Sequence, residues 1–253
     1  MARVHLVLQG KGGVGKTFAA SLMAQYCVEK NVPAVCVDTD PVNSTFAQYH
    51  LGVLSIKIMN AGKIDGHRFD DLIEMLVNKD GADFIIDNGA ATFVPLTNYM
   101  AENGVIETLV EAGKPVVVHT VLTGGQGATD TQTGFERLLI QFGEKASLVV
   151  WLNEFFGQIL VDGKDFEESP LYLNNRDRIF GIVRIIRRSE DTFGRDMEKM
   201  LNSKMTFGEA IESSKFQFMA KKRLKMVRDD LFAQISALFE TDQAVIGGAR
   251  GTH

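Results

Sequence analysis

Residues Gly10 to Thr17, GKGGVGKT, place four glycines and two lysines ahead of a hydroxyl. The run satisfies the spacing G-x-x-x-x-G-K-[ST], whose chemistry is phosphate binding. Glycines 10, 12, 13 and 15 permit a tight turn that aims backbone N–H groups inward. A helix opening near Lys16 would add the positive end of its dipole. The Lys16 ammonium suits β- and γ-phosphates, and the Thr17 hydroxyl suits Mg²⁺. The residues expected to touch a nucleotide are Gly10, Gly12, Gly13, Val14, Gly15, Lys16, Thr17 and Phe18.

A carboxylate is needed to complete a Mg²⁺ site. In FIIDNGA (84–90) apolar residues precede Asp87, which then projects from the carboxyl end of a buried strand. Ligands bind at that edge of an open α/β sheet, so Asp87 is expected to hold Mg²⁺ through water. VDTDPVNST (37–45) ends the strand before it. On its own, DTDP also reads as a turn leading into a helix that Asn43 or Ser44 would cap. His119 lies inside an apolar strand and reads as a satisfied core residue. Cys27 and Cys36 lack metal-site spacing and read as buried, reduced thiols.

Lys11 narrows the class. KGGVGKT resembles the deviant Walker A loop of the ParA/MinD/nitrogenase-iron-protein superfamily, in which the first lysine crosses a dimer interface to the partner's nucleotide. The resemblance implies that Lys11 and Lys16 are catalytic, a cation supplied in trans offsetting charge on the transferred phosphoryl group. It also implies that Asp38 supports the Mg²⁺ water shell and that Asp40 orients or activates the attacking water. The turn after Asp87, from Gly89, would be a second switch. There the sequence departs from the commoner pattern of a cysteine and prolines, offering Asn88 and Thr92 instead. By the same resemblance Asn153, ending VVWLN, hydrogen-bonds the adenine edge, although asparagine at a strand end is also a common turn residue. Phe155 and Phe156 could pack on the base; core packing is the competing expectation for at least one of them.

These residues need a scaffold. Apolar runs at 3–9, 33–38, 82–87, 115–122, 146–153 and 178–186 read as strands, with a weaker one at 55–60. Helical patterns at 16–31, 67–79 and 96–113 alternate with them. The strands are continuously apolar, as expected when both faces are covered. The fold class read from this is α/β: a doubly wound, mostly parallel sheet flanked by helices; the resemblance of the loop implies a P-loop NTPase of the SIMIBI class. TGGQG (123–127) is a second glycine turn expected to line the same crevice. Residues 154–175 read as irregular. The 253 residues suit one large domain, read as 1–240 with a flexible tail at 241–253.

Five arginines fall between 176 and 188, and Lys215, Lys221, Lys222, Arg223, Lys225 and Arg228 lie on an amphipathic helix read at 215–239. A solvated helix face, a non-specific DNA patch and a membrane-surface helix are the competing readings. The last is disfavoured by the ending GGARGTH. A net charge of −5 excludes a general polyanion binder. No apolar run reaches the roughly 20 residues of a membrane span, and the expected location is cytoplasmic.

The series VHLVLQGKGGVGK, DTDPVN, FVPL, VVHTV, TGGQ, VVWLN, GRD and KRLK is similar to the TraL-type conjugal-transfer ATPases of plasmids, from residue 2 to about 235. The resemblance implies an ATP/ADP- and Mg²⁺-dependent homodimer that hydrolyses slowly. Its implied partner is a conjugation-machinery protein or relaxosome component. Two alternatives share the scaffold. A dethiobiotin-synthetase-type phosphotransferase or ligase would need an acceptor pocket, which 154–175 could build. A non-hydrolysing adaptor would have little use for Asp38, Asp40 and Asp87.

Overall fold

β-branched and apolar residues dominate the central strands, with His5, His119 and Thr120 buried among them, and the consequence is a sheet with two covered faces. In β8 of the computed structural model, Leu148, Val150 and Leu152 join one core while Val149 and Trp151 join the other. The structure describes residues 2–40 and 45–248, with side chains through 239. The expected caps Asn43 and Ser44 lie outside the described residues.

In chain order the elements are β1 (Val4–Val7), α1 (Lys16–Glu29), β2 (Ala34–Asp38), α2 (Phe46–Tyr49), β3 (Leu54–Ser55), β4 (Met59–Asn60), β5 (Lys63–Ile64) and α3 (Gly66–Asn78). Next come β6 (Asp83–Asp87), α4 (Phe93–Glu102), α5 (Val105–Glu111), β7 (Val116–Thr123), α6 (Ala128–Phe142) and β8 (Ser147–Asn153). The remainder is β9 (Leu160–Val161), β10 (Lys164–Asp165), α7 (Pro170–Leu173), β11 (Ile179–Ile185), α8 (Arg195–Asn202), α9 (Phe207–Glu212) and α10 (Phe218–Gly248).

Among the described residues seven strands form one parallel sheet in the order β11-β8-β7-β1-β6-β2-β3. β1 is central. The chain leaves it on one side for β6, β2 and β3 and on the other for β7, β8 and β11. One core packs Phe69 of α3, Leu96 of α4, Leu109 of α5 and Phe135 of α6 on the sheet. The other packs Leu22 of α1, Phe207 of α9 and Leu231 of α10 on its reverse. This is the doubly wound α/β architecture expected from the strand pattern, and its carboxyl edge gathers the loops after β1, β2, β6, β7 and β8.

The expected strand at 55–60 divides. Its start forms the edge strand β3, and its end, β4, pairs antiparallel with β5. Ile58 is buried between them. The turn joining β4 to β5 has positive φ at both Ala61 and Gly62. The stretch 154–175 is also more ordered than its composition suggests. Asp162 and Gly163, both at positive φ, close a β9–β10 hairpin, and Ser169 caps α7. The helix read at 215–239 starts at Phe218 and runs to Gly248; residues 249–253 lie outside the described ones.

Candidate functional site

The loop after β1 is held open by backbone conformation. Gly13 and Gly15 have φ of 74° and 109°, in the region that favours glycine. A Cβ at Gly12 or Gly13 would meet nothing within 4 Å, whereas one at Gly10 would lie 2.8 Å from the Phe93 ring. Glycine is thus needed at 10 for packing and at 13 and 15 for conformation. α1 begins at Lys16 without a side-chain cap, so its first N–H groups face the loop. The Lys16 side chain is buried and its Nζ donates to the Lys11 carbonyl at 2.9 Å. Burial lowers the Lys16 pKa from the ordinary lysine value, while the charges of Asp87 and Asp40 oppose that shift.

Asp87 stands at the end of β6 beside α1. Its Oδ2 accepts from the Thr17 hydroxyl at 2.6 Å. Its Oδ1 is buried with no hydrogen-bond partner. Burial drives the Asp87 pKa up to about 7; Asp38 and Asp40 add to the rise, and the Thr17 bond and Lys16 counter it. An unsatisfied buried carboxylate oxygen costs on the order of 1–3 kcal/mol or more. A cation or its water shell would satisfy it, so Thr17 and Asp87 fit Mg²⁺. Among the described residues no group of three or more His, Cys, Asp or Glu side chains is placed to hold a metal. Sparse protein ligation, with water and phosphate oxygens supplying the rest, is the usual arrangement for Mg²⁺.

The other acidic residues line the β2 turn. Asp38 is buried, and both its oxygens are engaged by the backbone: Oδ1 accepts from Asp40 N–H at 3.0 Å, and Oδ2 from Phe46 and Ala47 N–H at 3.0 and 3.3 Å. Asp38 therefore accepts from the first two N–H groups of α2. Burial raises its pKa, opposed by those backbone hydrogen bonds. The Asp40 carboxyl packs on Gly89, where a Cβ would lie 2.7 Å from its carbon. The first and second turns are thus in direct contact, and the contact requires glycine at 89. Asn88 and Thr92 have internal duties. Asn88 donates to Val7 and Ile86 carbonyls and accepts from Thr39 Oγ1, and Thr92 Oγ1 donates to the Gly89 carbonyl.

On the β7–β8 side, Asn153 Nδ2 donates to the Val14 carbonyl at 2.9 Å, and its Oδ1 accepts from Phe155 N–H. Both ends of the amide expected at the adenine are bonded within the chain, one of them to the phosphate loop. Phe155 and Phe156 do not enter the core. They are 60% and 47% exposed and meet edge to face. The carbonyls of Phe156, Gly157 and Gln158 crowd Gly124 and Gly125, and the backbone so placed leaves both rings outside. The rings line a cavity of about 440 Å³ with Gly13, Gly15, Phe18, Ile185 and Phe193. Its size and apolar lining suit a flat heterocycle.

Sequence reading missed Gln9. Its buried amide accepts from Gly10 N–H at 2.8 Å and donates to Thr120 Oγ1 and to the carbonyls of Val121 and Thr131. It also missed Asp130, whose Oδ2 lies 2.8 Å from Lys11 Nζ. Apart from Gly10, their partners lie more than 100 residues away, beyond any local signal. His119 is fully buried, accepting at Nδ1 from the Trp151 indole and bonding His5 through Nε2. Cys27 and Cys36 are free thiols, raised by burial to pKa values of about 12 and 11. Much of the basic charge near the C-terminus is answered locally: Arg184 by Glu154 and Glu167, Arg188 by Asp230, Arg223 by Asp196, and Lys225 and Arg228 by Asp229. Among the described residues no helix is long and apolar enough to cross a membrane.

No family model matches the chain. Among solved structures, the fold is similar to the MinD cell division protein of Aquifex aeolicus, with TM-score 0.50 and 14% identity over 92% of this chain and 97% of that one. It is also similar to the Aquifex aeolicus MinC:MinD cell division protein complex, with TM-score 0.52 and 12% identity over 92% and 96% of the two chains. These likenesses show a fold like that of MinD. Two curated Escherichia coli proteins named Protein TraL are far closer in sequence. One is 46% identical over 236 residues, covering 93% of this chain and 98% of its own. The other is 45% identical over 239 residues, covering 94% and 98%. With nearly half its residues matched across almost the whole of both relatives, the chain belongs to the TraL family.

Proposed function

We propose that the protein binds ATP with Mg²⁺ on the Gly10–Thr17 loop, hydrolyses it slowly, and dimerises through the nucleotide face as a switch in plasmid conjugal transfer. The observation carrying the nucleotide reading is the Thr17–Asp87 hydrogen bond with the buried, orphaned Asp87 oxygen, set beside a glycine loop and a helix N-terminus. Mg²⁺ would offset phosphate charge there. Lys16 would leave the Lys11 carbonyl for the β- and γ-phosphates, and the loop N–H groups would hold the phosphate oxygens. Asp40, packed on Gly89, is suited to orient an attacking water. Asp38 has its oxygens on the α2 backbone, so support of the metal's water shell would come from a rearranged turn or through water.

TraL kinship and the Lys11–Lys16 spacing support a conjugal, dimeric role, with a conjugation-machinery protein or relaxosome component as partner and a cytoplasmic site of action. A phosphotransferase on this scaffold is less well supported. Of residues 154–175, only Phe155 and Phe156 reach the cavity beside the loop, and neither offers acceptor-binding chemistry. The test is light scattering with calorimetry. A non-hydrolysable ATP analogue with Mg²⁺ should bind and double the apparent mass. Lys11→Ala should retain binding and stay monomeric. Binding without any mass change in the wild type would overturn the switch and leave only a nucleotide-binding protein.

A further inference from the structure

The Lys11 side chain is already engaged within its own chain. Its Nζ lies 2.8 Å from Asp130 Oδ2 in the first turn of α6. Its stem runs past Gly127, where an added Cβ would meet Lys11 Cγ at 3.9 Å and Thr123 Cγ2 at 2.8 Å. The aliphatic stem thus lies along a surface kept low by glycine, and the head is met by a carboxylate at the end of that path. The same stretch of α6 also grips the residue before Lys11, since the Thr131 carbonyl accepts from Gln9, which in turn holds Gly10 N–H. The first two loop residues are both referred to one helix.

We infer that Asp130 is a latch that keeps Lys11 in cis and so raises the nucleotide concentration at which two copies of this chain pair. The inference rests on the proposed dimerisation, in which Lys11 must reach the partner's nucleotide. Lys11 cannot serve both anions, so the pair must break before it crosses. Both members are partly exposed, 42% and 58%, so the latch is weak enough to exchange. An exposed pair of this kind biases an equilibrium by about 1.4- to 5-fold. A two-fold dimer breaks two of them, so the combined bias is about 2- to 30-fold.

The experiment measures the dimer dissociation constant by sedimentation equilibrium with Mg²⁺ and adenylyl imidodiphosphate, for wild type, Asp130→Asn and Asp130→Glu. Asp130→Asn should tighten the dimer by about 2- to 30-fold, and Asp130→Glu, which keeps the charge, should stay near wild type. The gain should shrink toward unity at about 1 M salt, where screening acts within about 3 Å. Equal dimer affinity for wild type and Asp130→Asn would overturn the latch while leaving the switch standing. Equal tightening by Asn and Glu would overturn its electrostatic basis. If neither wild type nor Asp130→Asn dimerises, the switch falls and the latch falls with it.

Discussion

Asn153 spends its amide on the protein, donating to the Val14 carbonyl and accepting from Phe155 N–H. Its nearness to Gly15 is equally close, since a Cβ there would lie 3.0 Å from Nδ2. The residue therefore braces the phosphate loop, and removing it should weaken phosphate binding without changing the choice of base. Asn153→Ala should lower ATP and GTP affinity by one common factor, about 5-fold for a lost hydrogen bond near 1 kcal/mol. Titration with the two fluorescent nucleotides checks this. A selective loss of ATP would return Asn153 to the adenine edge. The neighbouring rings follow the same logic: Phe155 and Phe156 stand outside because the carbonyls between them and Gln158 are packed against Gly124 and Gly125.

At the scale of elements, α6 is the strut behind the loop. Gly134 lies in its interior, where alanine would ordinarily be favoured by about 0.5–1 kcal/mol. Here a Cβ would overlap the Gln9 side-chain carbonyl, which holds Gly10 N–H. Gly134→Ala should therefore destabilise the fold by about 1–3 kcal/mol, against its helix propensity, and weaken nucleotide binding as well. Urea unfolding and calorimetry read the two effects; a stabilised variant would show that Gln9 repacks at no cost. The parallel strands and the phosphate loop were legible because their signals are local: apolar runs, glycine spacing, and an aspartate at a strand end. The β4–β5 turn was not, because its positive-φ pair is Ala61–Gly62, and alanine carries no turn signal. The β9–β10 hairpin was written in Asp162–Gly163, a recognised hairpin pair overlooked within an irregular stretch. The distant partners of Gln9, Asp130 and Gly134 are brought near by the sheet, so no window of sequence contains those contacts.

Across the whole molecule, the neighbouring central strands β1, β7 and β8 are joined by aromatic nitrogen. The Trp151 indole can only donate, so His119 accepts at Nδ1 and carries its proton at Nε2, bonded to His5, which faces Asp83 at 3.7 Å. Complete burial, with the neighbouring His5 charge, holds the His119 pKa well below the ordinary value. As pH falls through about 6.5, the unfolded chain takes up a proton that the folded one refuses, so stability declines by up to about 1.4 kcal/mol per pH unit from this group. His119→Gln should therefore show a shallower loss of stability between pH 7.5 and 5.5 than wild type. Parallel profiles would remove His119 from the acid sensitivity. Trp151 is also the only tryptophan in the sequence, and it is wholly buried in β8 two residues before Asn153. The unmodified protein thus carries one tryptophan fluorophore at a known address. Its emission reports the integrity of the central sheet, and a change in that light on adding nucleotide would be a message carried down β8 from the site.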